Sequence, residues 1–254
     1  MSIKNNKISI IIATLNCELT ITKCIKSCLN QKYTSLEVII MDGGSVDQTL
    51  KILYSIKDKR LKIISKKDKS IYDAWNKALR ICNGEWICFI GGDDYWLNQN
   101  CLNKLMVKKD NSNFISAKVK IYNDITKHTE ILGKKWNKND ILKGMIIAHP
   151  GSLHHYSLFK KRLFNKSYKI SGDHEFLIHM KEKIKASFLD YEIICMRDGG
   201  ISRAKPYMAF IESYNAIKLN VKFGYFYGLK FLIIILLKFF VKKLSISLKT
   251  LIKY

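Results

Sequence analysis

Short apolar runs recur along the amino-terminal part of the chain, and the segments between them have a helical period. The runs at 7–15, 36–41, 61–65 and 85–90 consist mainly of β-branched, aliphatic and aromatic residues, which is typical of buried strands in a parallel sheet. Between the runs, apolar residues recur every three or four positions, as on the buried face of a helix. Strands that alternate with short helices predict a right-handed, parallel α/β sheet.

Two capping patterns mark predicted helix starts. Ser45 is followed by Gln48 three positions later, and Ser70 is followed by Asp73 at the same spacing. In a capping box, the first side chain accepts a hydrogen bond from the backbone three residues on. Helices are therefore predicted to begin at Ser45 and at Ser70.

Polar side chains gather where the predicted strands end. They are Thr14, Asn16, Asp42, Asp68, Asp93 and Asp94. Parallel strands end at one edge of a sheet, where open α/β proteins bind ligands. Adjacent carboxylates suit a hard divalent cation. An Asx-rich turn would have the same sequence without forming a metal site. No GxGxxG follows the first strand and no GxxxxGK[ST] occurs, so a dinucleotide fingerprint and a P-loop are both unsupported.

The second half contains a different strand type and a second acidic cluster. Residues 113–122 alternate apolar and polar side chains, which predicts an antiparallel strand with one solvated face. Gly172 is followed by Asp173 and Glu175 and then by a helical apolar pattern. Acids in a first helical turn complement the helix dipole, so the cluster has a structural explanation as well as a chemical one.

The charge of the chain is far from neutral. Its 44 Lys and Arg residues against 21 Asp and Glu residues give a formal net charge of +23. Such a field favours anionic partners, which are nucleic acid, anionic lipid or phosphorylated metabolites. The seven cysteines lack CxxC spacing, and we interpret them as reduced, buried thiols of a cytosolic protein.

The carboxyl-terminal segment is both apolar and basic. After Glu212 it has eight lysines and no acidic residue, and its longest unbroken apolar run, 231–237, is seven residues. That run is far short of the roughly 20 residues needed to cross a bilayer. On a helical projection, one face carries Lys238, Lys242, Lys249 and Lys253, and the opposite face carries Leu237, Phe240, Leu244, Leu248 and Leu251. This predicts a basic amphipathic helix on an anionic membrane surface. The alternatives are packing on the protein's own core, an oligomer contact, and a membrane span with snorkelling lysines.

Four fragments in order resemble a known family. IIATLN, EVIIMDGGSVDQT, SKKDKSIYDAWNKAL and GEWICFIGGDDYW are similar to segments of the family 2 glycosyltransferases, especially bacterial enzymes that build O-antigen, capsule or exopolysaccharide. The resemblance covers roughly residues 7–205. It implies an α/β GT-A fold with a mostly parallel central sheet flanked by helices. Residues 1–205 would form the transferase domain, in a nucleotide-sugar half (about 1–110) and an acceptor half (about 111–205), and 206–254 the amphipathic tail.

The resemblance also implies roles for the tandem acids. Asp94 would hold Mn²⁺ or Mg²⁺, and Asp93 would contact the donor ribose or share the metal. Gly91 stands where many relatives place another acid, so the division of roles between the two carboxylates stays open.

Further donor contacts follow from the same resemblance. Asp42 would pair with a nucleobase, uracil in the usual case, beside Thr14 and Asn16. The residues expected to line the nucleotide, the diphosphate or the donor pocket are Asp68, Asp73, Asn76, Lys77, His149 and Arg203. Turn chemistry at Asp42, helix capping at Asp73 and a solvated surface position for Arg203 are the structural alternatives.

Asp173 matches the position of the family's catalytic base, with Glu175 in support. The chemistry would be an in-line displacement at the anomeric carbon, in which one carboxylate deprotonates the acceptor and the sugar is inverted. The resulting hypothesis is an inverting, metal-dependent glycosyltransferase on the cytoplasmic face of the membrane. It would move a sugar from a nucleotide donor, UDP-linked by expectation, to a lipid-linked saccharide.

Three other functions are alternatives to this one. A nucleic-acid-binding module fits the charge, but no recognisable binding motif occurs, so no nucleic-acid partner is predicted. A nucleotidyltransferase should have a glycine-rich GxGxR-type loop after its first strand, and Ala13, Thr14, Leu15 and Asn16 stand there instead. The third alternative is a catalytically inactive scaffold, which a transfer assay distinguishes from an enzyme.

Overall fold

The first half of the chain forms the predicted alternation of strands and helices. The computed structural model describes residues 3–251, and the side chains of all of these except Lys4 and 238–251. The first elements are β1 (Lys4–Thr14), α1 (Ile21–Leu29), β2 (Leu36–Asp42), α2 (Thr49–Ser55), β3 (Leu61–Ser65), α3 (Ile71–Leu79) and β4 (Gly84–Gly91). All four predicted strands and the helices between them are therefore confirmed.

The second half adds strands to the same sheet and ends in helices. Its elements are β5 (Tyr95–Trp96), α4 (Cys101–Met106), β6 (Phe114–Tyr122), β7 (Thr129–Leu132), β8 (Ser152–His155), α5 (Gly172–Met180), β9 (Ala186–Arg197), α6 (Ile201–Ala204), α7 (Pro206–Asn220) and α8 (Gly224–Leu251). Short 3-10 helices connect several of them, including Asp140–Lys143.

One mixed sheet contains all of the strands described. Its order is β3-β2-β1-β4-β8-β6-β9-β5, with β7 paired to β6. The first four strands are parallel, and β8 pairs antiparallel with both β4 and β6. The strand predicted at 113–122 is confirmed as β6, antiparallel to β7 and β8 and parallel to β9. Its alternating burial begins only after its first four residues, which are all buried.

The register of the parallel strands brings their polar ends level with one another. Thr14 lies opposite Asp42, and Asp42 lies opposite Ser65. On the other side of β1, Ala13 lies opposite Gly91. The residues that follow β1, β2, β3 and β4 therefore share one edge of the sheet, as parallel pairing requires.

Side chains of the central strands alternate between two hydrophobic cores, one on each face of the sheet. Ile11 and Phe89 pack with α3 and α5, where Tyr72, Trp75 and Phe176 are buried. Their neighbours in sequence pack with α1 and α4 in a second core. This division follows from the period of two in a strand, and it places α3 and α5 on the same side of the sheet.

Only one of the two capping predictions is correct. Ser70 is the N-cap of α3, and its hydroxyl accepts from the backbone N–H of Asp73 at 3.3 Å. By contrast α2 begins at Thr49, not at Ser45, so that prediction is wrong. The hydroxyl of Ser45 instead donates to the carboxylate of Asp42, and this interaction competes with the cap.

The helical tail packs in part on the protein's own core. Phe231 of α8 is 3% exposed and stacks on Phe210 of α7, with ring centroids 5.5 Å apart. The side chains of the predicted lysine stripe from Lys238 onward, and those of the opposite leucine face beyond Leu237, lie outside the described residues. Among the helices that the structure describes, none is long and apolar enough to span a membrane.

Candidate functional site

The tandem acids after β4 occupy different environments. Asp94 is 5% exposed and accepts a hydrogen bond of 2.7 Å from the backbone N–H of Gly91. Asp93 is more exposed and lines a cavity of about 240 Å³. Lys23, Tyr95 and Arg197 are among the other residues of its wall. One carboxylate is thus held inside the loop, while the other faces open space.

Both carboxylates converge on the space above Gly91. A Cβ atom at Gly91 would lie 2.6 Å from Oδ1 of Asp93 and 3.3 Å from Oδ2 of Asp94. Burial, and then the charge of Asp93, raise the pKa of Asp94 to about 8. The absence of a side chain at this position is therefore what allows the two acids to approach each other.

The acid pair fits a divalent cation. Two close carboxylates repel each other in a buried site, and a cation between them removes that repulsion. Among the described residues, no group of three or more His, Cys, Asp or Glu side chains is arranged to hold a metal. Mg²⁺ in such a site is usually bound by one or two carboxylates together with substrate phosphates and water, which this pair can accommodate.

A second cavity, of about 260 Å³, opens at the ends of β1 and β2 and the start of α3. Its walls are formed by Ala13, Thr14, Leu15, Met41, Gly43, Asp68, Ser70, Ile71 and Ala74. The hydroxyl of Thr14 is buried there and has no hydrogen-bond partner. It lies 2.7 Å from the position that a Cβ at Gly92 would take. A buried unpaired hydroxyl beside a cavity is a natural contact for a polar ligand.

Asp42 and Asn16 are the chain neighbours of Gly43 and Leu15, which line this cavity. Asp42 is completely buried and accepts from the backbone N–H of Gly44 and of Ser45, each at 3.0 Å, and from Ser65 Oγ at 2.7 Å. Asn16 has a φ of 52° and accepts from Val46 N–H at 2.9 Å. The turn alternative for Asp42 is therefore present in the structure, and its carboxylate is engaged by the protein.

An ion network lies at the entrance to α3. Lys77 donates to Asp68 and lies 3.2 Å from Oδ2 of Asp73. Lys166 approaches Asp73 at 3.6 Å from the other side. The hydrogen bond to Asp68 raises the pKa of Lys77, which therefore stays charged beside the second cavity.

Three of the predicted donor residues make contacts within the protein. Asn76 is 3% exposed and bonds both the N–H and the C=O of Phe164. His149 is 4% exposed and packs in the protein interior. The side chain of Arg203 is exposed and is bound to Glu130 and Asp198.

The ring of His149 lies in an aromatic cluster. It stacks on Trp75 at 5.1 Å and on Phe89 at 5.6 Å, and neither of its ring nitrogens has a partner. Burial lowers the pKa of His149 to about 3, so the imidazole is neutral.

Asp173 is the second residue of α5. Its Oδ1 accepts from the backbone N–H of His174 at 2.8 Å and from the hydroxyl of Tyr72 at 3.2 Å. Tyr72 adjoins Ile71, which lines the second cavity. Burial raises the pKa of Asp173. Asp173 is therefore linked through Tyr72 to the start of α3, which lines this cavity.

Glu175 is buried away from solvent on the same helix. Its Oε1 is bound by Arg162, its Oε2 has no partner, and the residue is 1% exposed.

Sequence reasoning missed several residues of this site. The sequence predicts only a helical position for Tyr72 and no role for Lys166 or Glu212. Their contacts join segments about 40 to 100 residues apart, and no local spacing reveals such pairs. For Tyr72, the only local indication is that a tyrosine occurs in the fragment SIYDAW.

Comparison with known proteins identifies the family. Residues 9–174 match the model of the family described as Glycosyl transferase family 2. The chain belongs to glycosyl transferase family 2. The resemblance carried by the four sequence fragments is thereby confirmed.

Two curated relatives in this family come from Escherichia coli. The chain is 38% identical over 110 residues to the UDP-Glc:alpha-D-GlcNAc-diphosphoundecaprenol beta-1,3-glucosyltransferase WfaP, a match that covers 43% of this chain and 44% of WfaP. It is 43% identical over 90 residues to chondroitin synthase, a match that covers 35% of this chain and 13% of that enzyme. The matches thus span less than half the length of these relatives.

Solved structures show the same fold. TarS 1-349 of S. aureus in complex with UDP superposes with a TM-score of 0.68 at 22% identity, covering 87% of this chain and 68% of that one. The mannosyltransferase PcManGT from Pyrobaculum calidifontis, in complex with GDP-Man and Mn²⁺, gives a TM-score of 0.59 at 14% identity, covering 82% and 64%. The predicted GT-A fold is confirmed.

Proposed function

We propose that this family 2 protein is an inverting, metal-dependent glycosyltransferase that moves a sugar from a UDP-linked donor to a lipid-linked saccharide. The observation that carries the proposal is that Asp93 and Asp94 converge above Gly91 at the edge of the sheet where the second cavity opens, and that Thr14 of this cavity lies 2.7 Å from the position of a Cβ at Gly92. The named substrates of WfaP, and the binding of UDP and UDP-GlcNAc by TarS, support this donor and acceptor class.

Asp93 and Asp94 would hold Mn²⁺ or Mg²⁺ in this proposal. The ion would supply positive charge to the departing diphosphate. Asp94 is oriented by the N–H of Gly91, whereas Asp93 faces the first cavity and is free to contact either the ion or the donor ribose. The structure of PcManGT with Mn²⁺ and a nucleotide sugar supports this assignment.

The donor nucleotide would occupy the second cavity. Thr14 offers its unpaired hydroxyl there, and Asp68, which lines the same space, is paired with the charged Lys77. Asp42, Asn16, Asp73 and Asn76 would maintain the walls through their hydrogen bonds, and His149 would support α3 from the core. Arg203 would act as a diphosphate clamp only after exchanging its bonds to Glu130 and Asp198 for phosphate oxygens.

Asp173 would be the catalytic base. Both of its hydrogen bonds described above end on Oδ1, which leaves Oδ2 for the acceptor hydroxyl. A pKa raised by burial makes the carboxylate a stronger base. A single base opposite the leaving group leads to inversion at the anomeric carbon.

The tail would bring the enzyme to an anionic membrane at the cytoplasmic face, where its acceptor lies. Exposed apolar side chains are concentrated on α7, α8 and their connection, and include Tyr207, Leu219, Phe223, Tyr225, Phe226 and Leu229. A cavity of about 250 Å³ between α8 and Asp140–Lys143 is lined by Lys143, Lys230 and Phe231, among other residues. Lysines beside apolar surface suit the head groups and acyl chains of anionic lipid.

A thermal-shift panel with UDP-, GDP- and dTDP-sugars, each with and without Mn²⁺, tests the proposal. Ligands that bind the native state raise its Tm, so we expect the largest rise with a UDP-sugar and Mn²⁺ together. Transfer to a diphosphate-linked saccharide should then be lost in Asp173→Asn, with the UDP-sugar shift retained. A UDP-sugar shift that is independent of metal would contradict the metal assignment, and full transfer by Asp173→Asn would contradict the base.

A further inference from the structure

The carboxylate of Glu212 binds three consecutive backbone N–H groups. Its Oε1 accepts from Lys169 at 2.8 Å, and its Oε2 accepts from Ile170 and Ser171, each at 2.8 Å. Hydrogen bonds to an ionised carboxylate are stronger than bonds between neutral groups. One side chain of α7 therefore determines the backbone path of a segment more than 40 residues earlier.

That segment leads directly into Asp173. Ser171 is the N-cap residue of α5, and its hydroxyl donates to the carbonyl of Ala209 on α7 at 3.0 Å. On the opposite side, the hydroxyl of Tyr72 lies 2.6 Å from the carbonyl oxygen of Ile170 and also reaches Asp173. The segment is thus held through its N–H groups by Glu212 and through a carbonyl by Tyr72.

Close packing leaves the segment little room to move. A Cβ atom at Gly172 would lie 2.7 to 2.8 Å from three atoms of the Tyr72 ring. His174 is fixed as well, since its Nδ1 lies 3.1 Å from Ser213 Oγ and its Nε2 lies 2.7 Å from the carbonyl of Ile141. The orientation of Asp173 therefore depends on the position of the backbone between Lys169 and Gly172.

We infer that Glu212 is a positioning residue for Asp173 in the transfer reaction. It acts through the backbone of 169–171 and does not touch the substrate, and the inference rests on the role proposed above for Asp173. Without the carboxylate, three N–H groups would lose a charged acceptor, and the segment would shift to satisfy them. Catalysis is sensitive to displacements of about 1 Å in a reacting group, which can cost about 100-fold in rate.

Glu212→Gln tests the inference in the full-length protein. The amide keeps the shape of the side chain but loses the charge and one of the two acceptor oxygens. We expect kcat to fall by about 10-fold or more, within the range for a misplaced group, while the KM for the UDP-sugar and its thermal shift stay unchanged. Glu182→Gln is the matched control, because Glu182 is exposed and pairs with Lys138 and Lys181, and it should behave as wild type.

Two further variants separate positioning from simple stability. Glu212→Asp keeps the charge on a shorter side chain and should recover part of the lost kcat. Tyr72→Phe weakens the hold on the same segment, so its effect on kcat should be smaller in the Glu212→Gln background than in wild type. Independent, multiplicative effects of Tyr72→Phe and Glu212→Gln would overturn the inference.

The outcomes distinguish this inference from the proposed function. A wild-type protein without transfer activity, or a fully active Asp173→Asn, would overturn both. An inactive Asp173→Asn together with a fully active Glu212→Gln would overturn the role of Glu212 alone. Loss of the cooperative thermal transition in Glu212→Gln, or a loss of donor affinity equal to the loss of rate, would assign Glu212 to stability and also overturn it.

Discussion

The hydroxyl of Tyr72 lies 3.2 Å from Oδ1 of Asp173, although the two residues are 101 positions apart. Tyr72 is 2% exposed, and its ring packs directly on Gly172. This contact joins α3, which borders the second cavity, to α5, which carries the base candidate. The two halves of the proposed site are therefore connected through the hydroxyl of Tyr72, which also lies 2.6 Å from the carbonyl oxygen of Ile170.

Tyr72→Phe should move the pH dependence of transfer. Burial raises the pKa of Asp173, and the hydrogen bond from Tyr72 acts in the opposite direction. Removing the hydroxyl should therefore raise this pKa further, so the acidic limb of kcat/KM moves to higher pH. The measurement is a pH–rate profile of the variant and the wild type. A limb that moves to lower pH would show that Asp173 does not produce it.

Gly91→Ala should disrupt metal binding without unfolding the protein. The added methyl would lie 2.6 Å from Oδ1 of Asp93 and 3.3 Å from Oδ2 of Asp94, and such side-chain ends move more easily than backbone. We expect the displaced acids to bind Mn²⁺ at least ~10-fold more weakly, as with altered ligand orientation elsewhere. Titration calorimetry measures this. Gly200→Ala, with φ −54° and open space around it, is the control.

Asp94 should make the metal-free protein less stable as the pH rises. Its pKa is raised to about 8 from an ordinary 3.8, so the folded state holds a proton that the unfolded state releases. The stabilisation is fully present below pH 3.8 and is lost as the pH rises through about 8. The rise in Tm caused by Mn²⁺ should therefore be larger at pH 8 than at pH 6.

Asp94→Asn removes the ionisable group and serves as the comparison. It should flatten this pH dependence and lower transfer at least ~100-fold, because metal ions supply several kcal/mol to such transition states. An unchanged pH dependence of the Tm would show that Asp94 does not titrate in the folded protein.

His149 should make the protein sensitive to acid. Its pKa is lowered by burial from 6.5 to about 3, so the unfolded state takes up a proton that the folded state excludes. Stability is present above pH 6.5 and is lost as the pH falls toward 3. The cost at pH 5 relative to pH 7 is about 2 kcal/mol, from 1.36 kcal/mol per pKa unit.

Urea unfolding at the two pH values measures this effect. His149→Phe should reduce the difference in unfolding free energy between pH 5 and pH 7, whereas His128→Gln, at an exposed position, should leave it unchanged. Equal differences in both variants would assign the acid sensitivity to other groups.

Lys230→Glu should weaken binding to anionic liposomes. Each lysine near such a surface contributes about 1 kcal/mol, so the two-unit change of charge should cost about 2 kcal/mol and lower the partition coefficient by roughly 30-fold. Liposome flotation with anionic and zwitterionic lipid measures it, and Lys51→Glu, exposed on α2, controls for net charge. Equal losses in both variants would place the contact elsewhere on the surface.

Local patterns predicted most of the fold. The four parallel strands, the start of α3 at Ser70 and the strand β6 follow from hydrophobic period and capping chemistry, because these depend on neighbours within a few residues. The predicted start of α2 is wrong because a competing hydrogen bond engages the capping side chain. The hydroxyl of Ser45 bonds Asp42, and the turn around this carboxylate displaces the helix start to Thr49.

The sequence by itself determined the family, the order of the strands along the chain and the gathering of carboxylates at one edge of the sheet. Parallel strands that are neighbours in a sheet end at the same edge, so residues that follow these strands lie together there. Only the tertiary structure decided that Asp42 is engaged by its own turn, that His149 lies in the core, and that Tyr72 and Glu212 hold the segment before Asp173. Burial and hydrogen-bond partners depend on residues tens of positions away, and chain spacing carries no information about them.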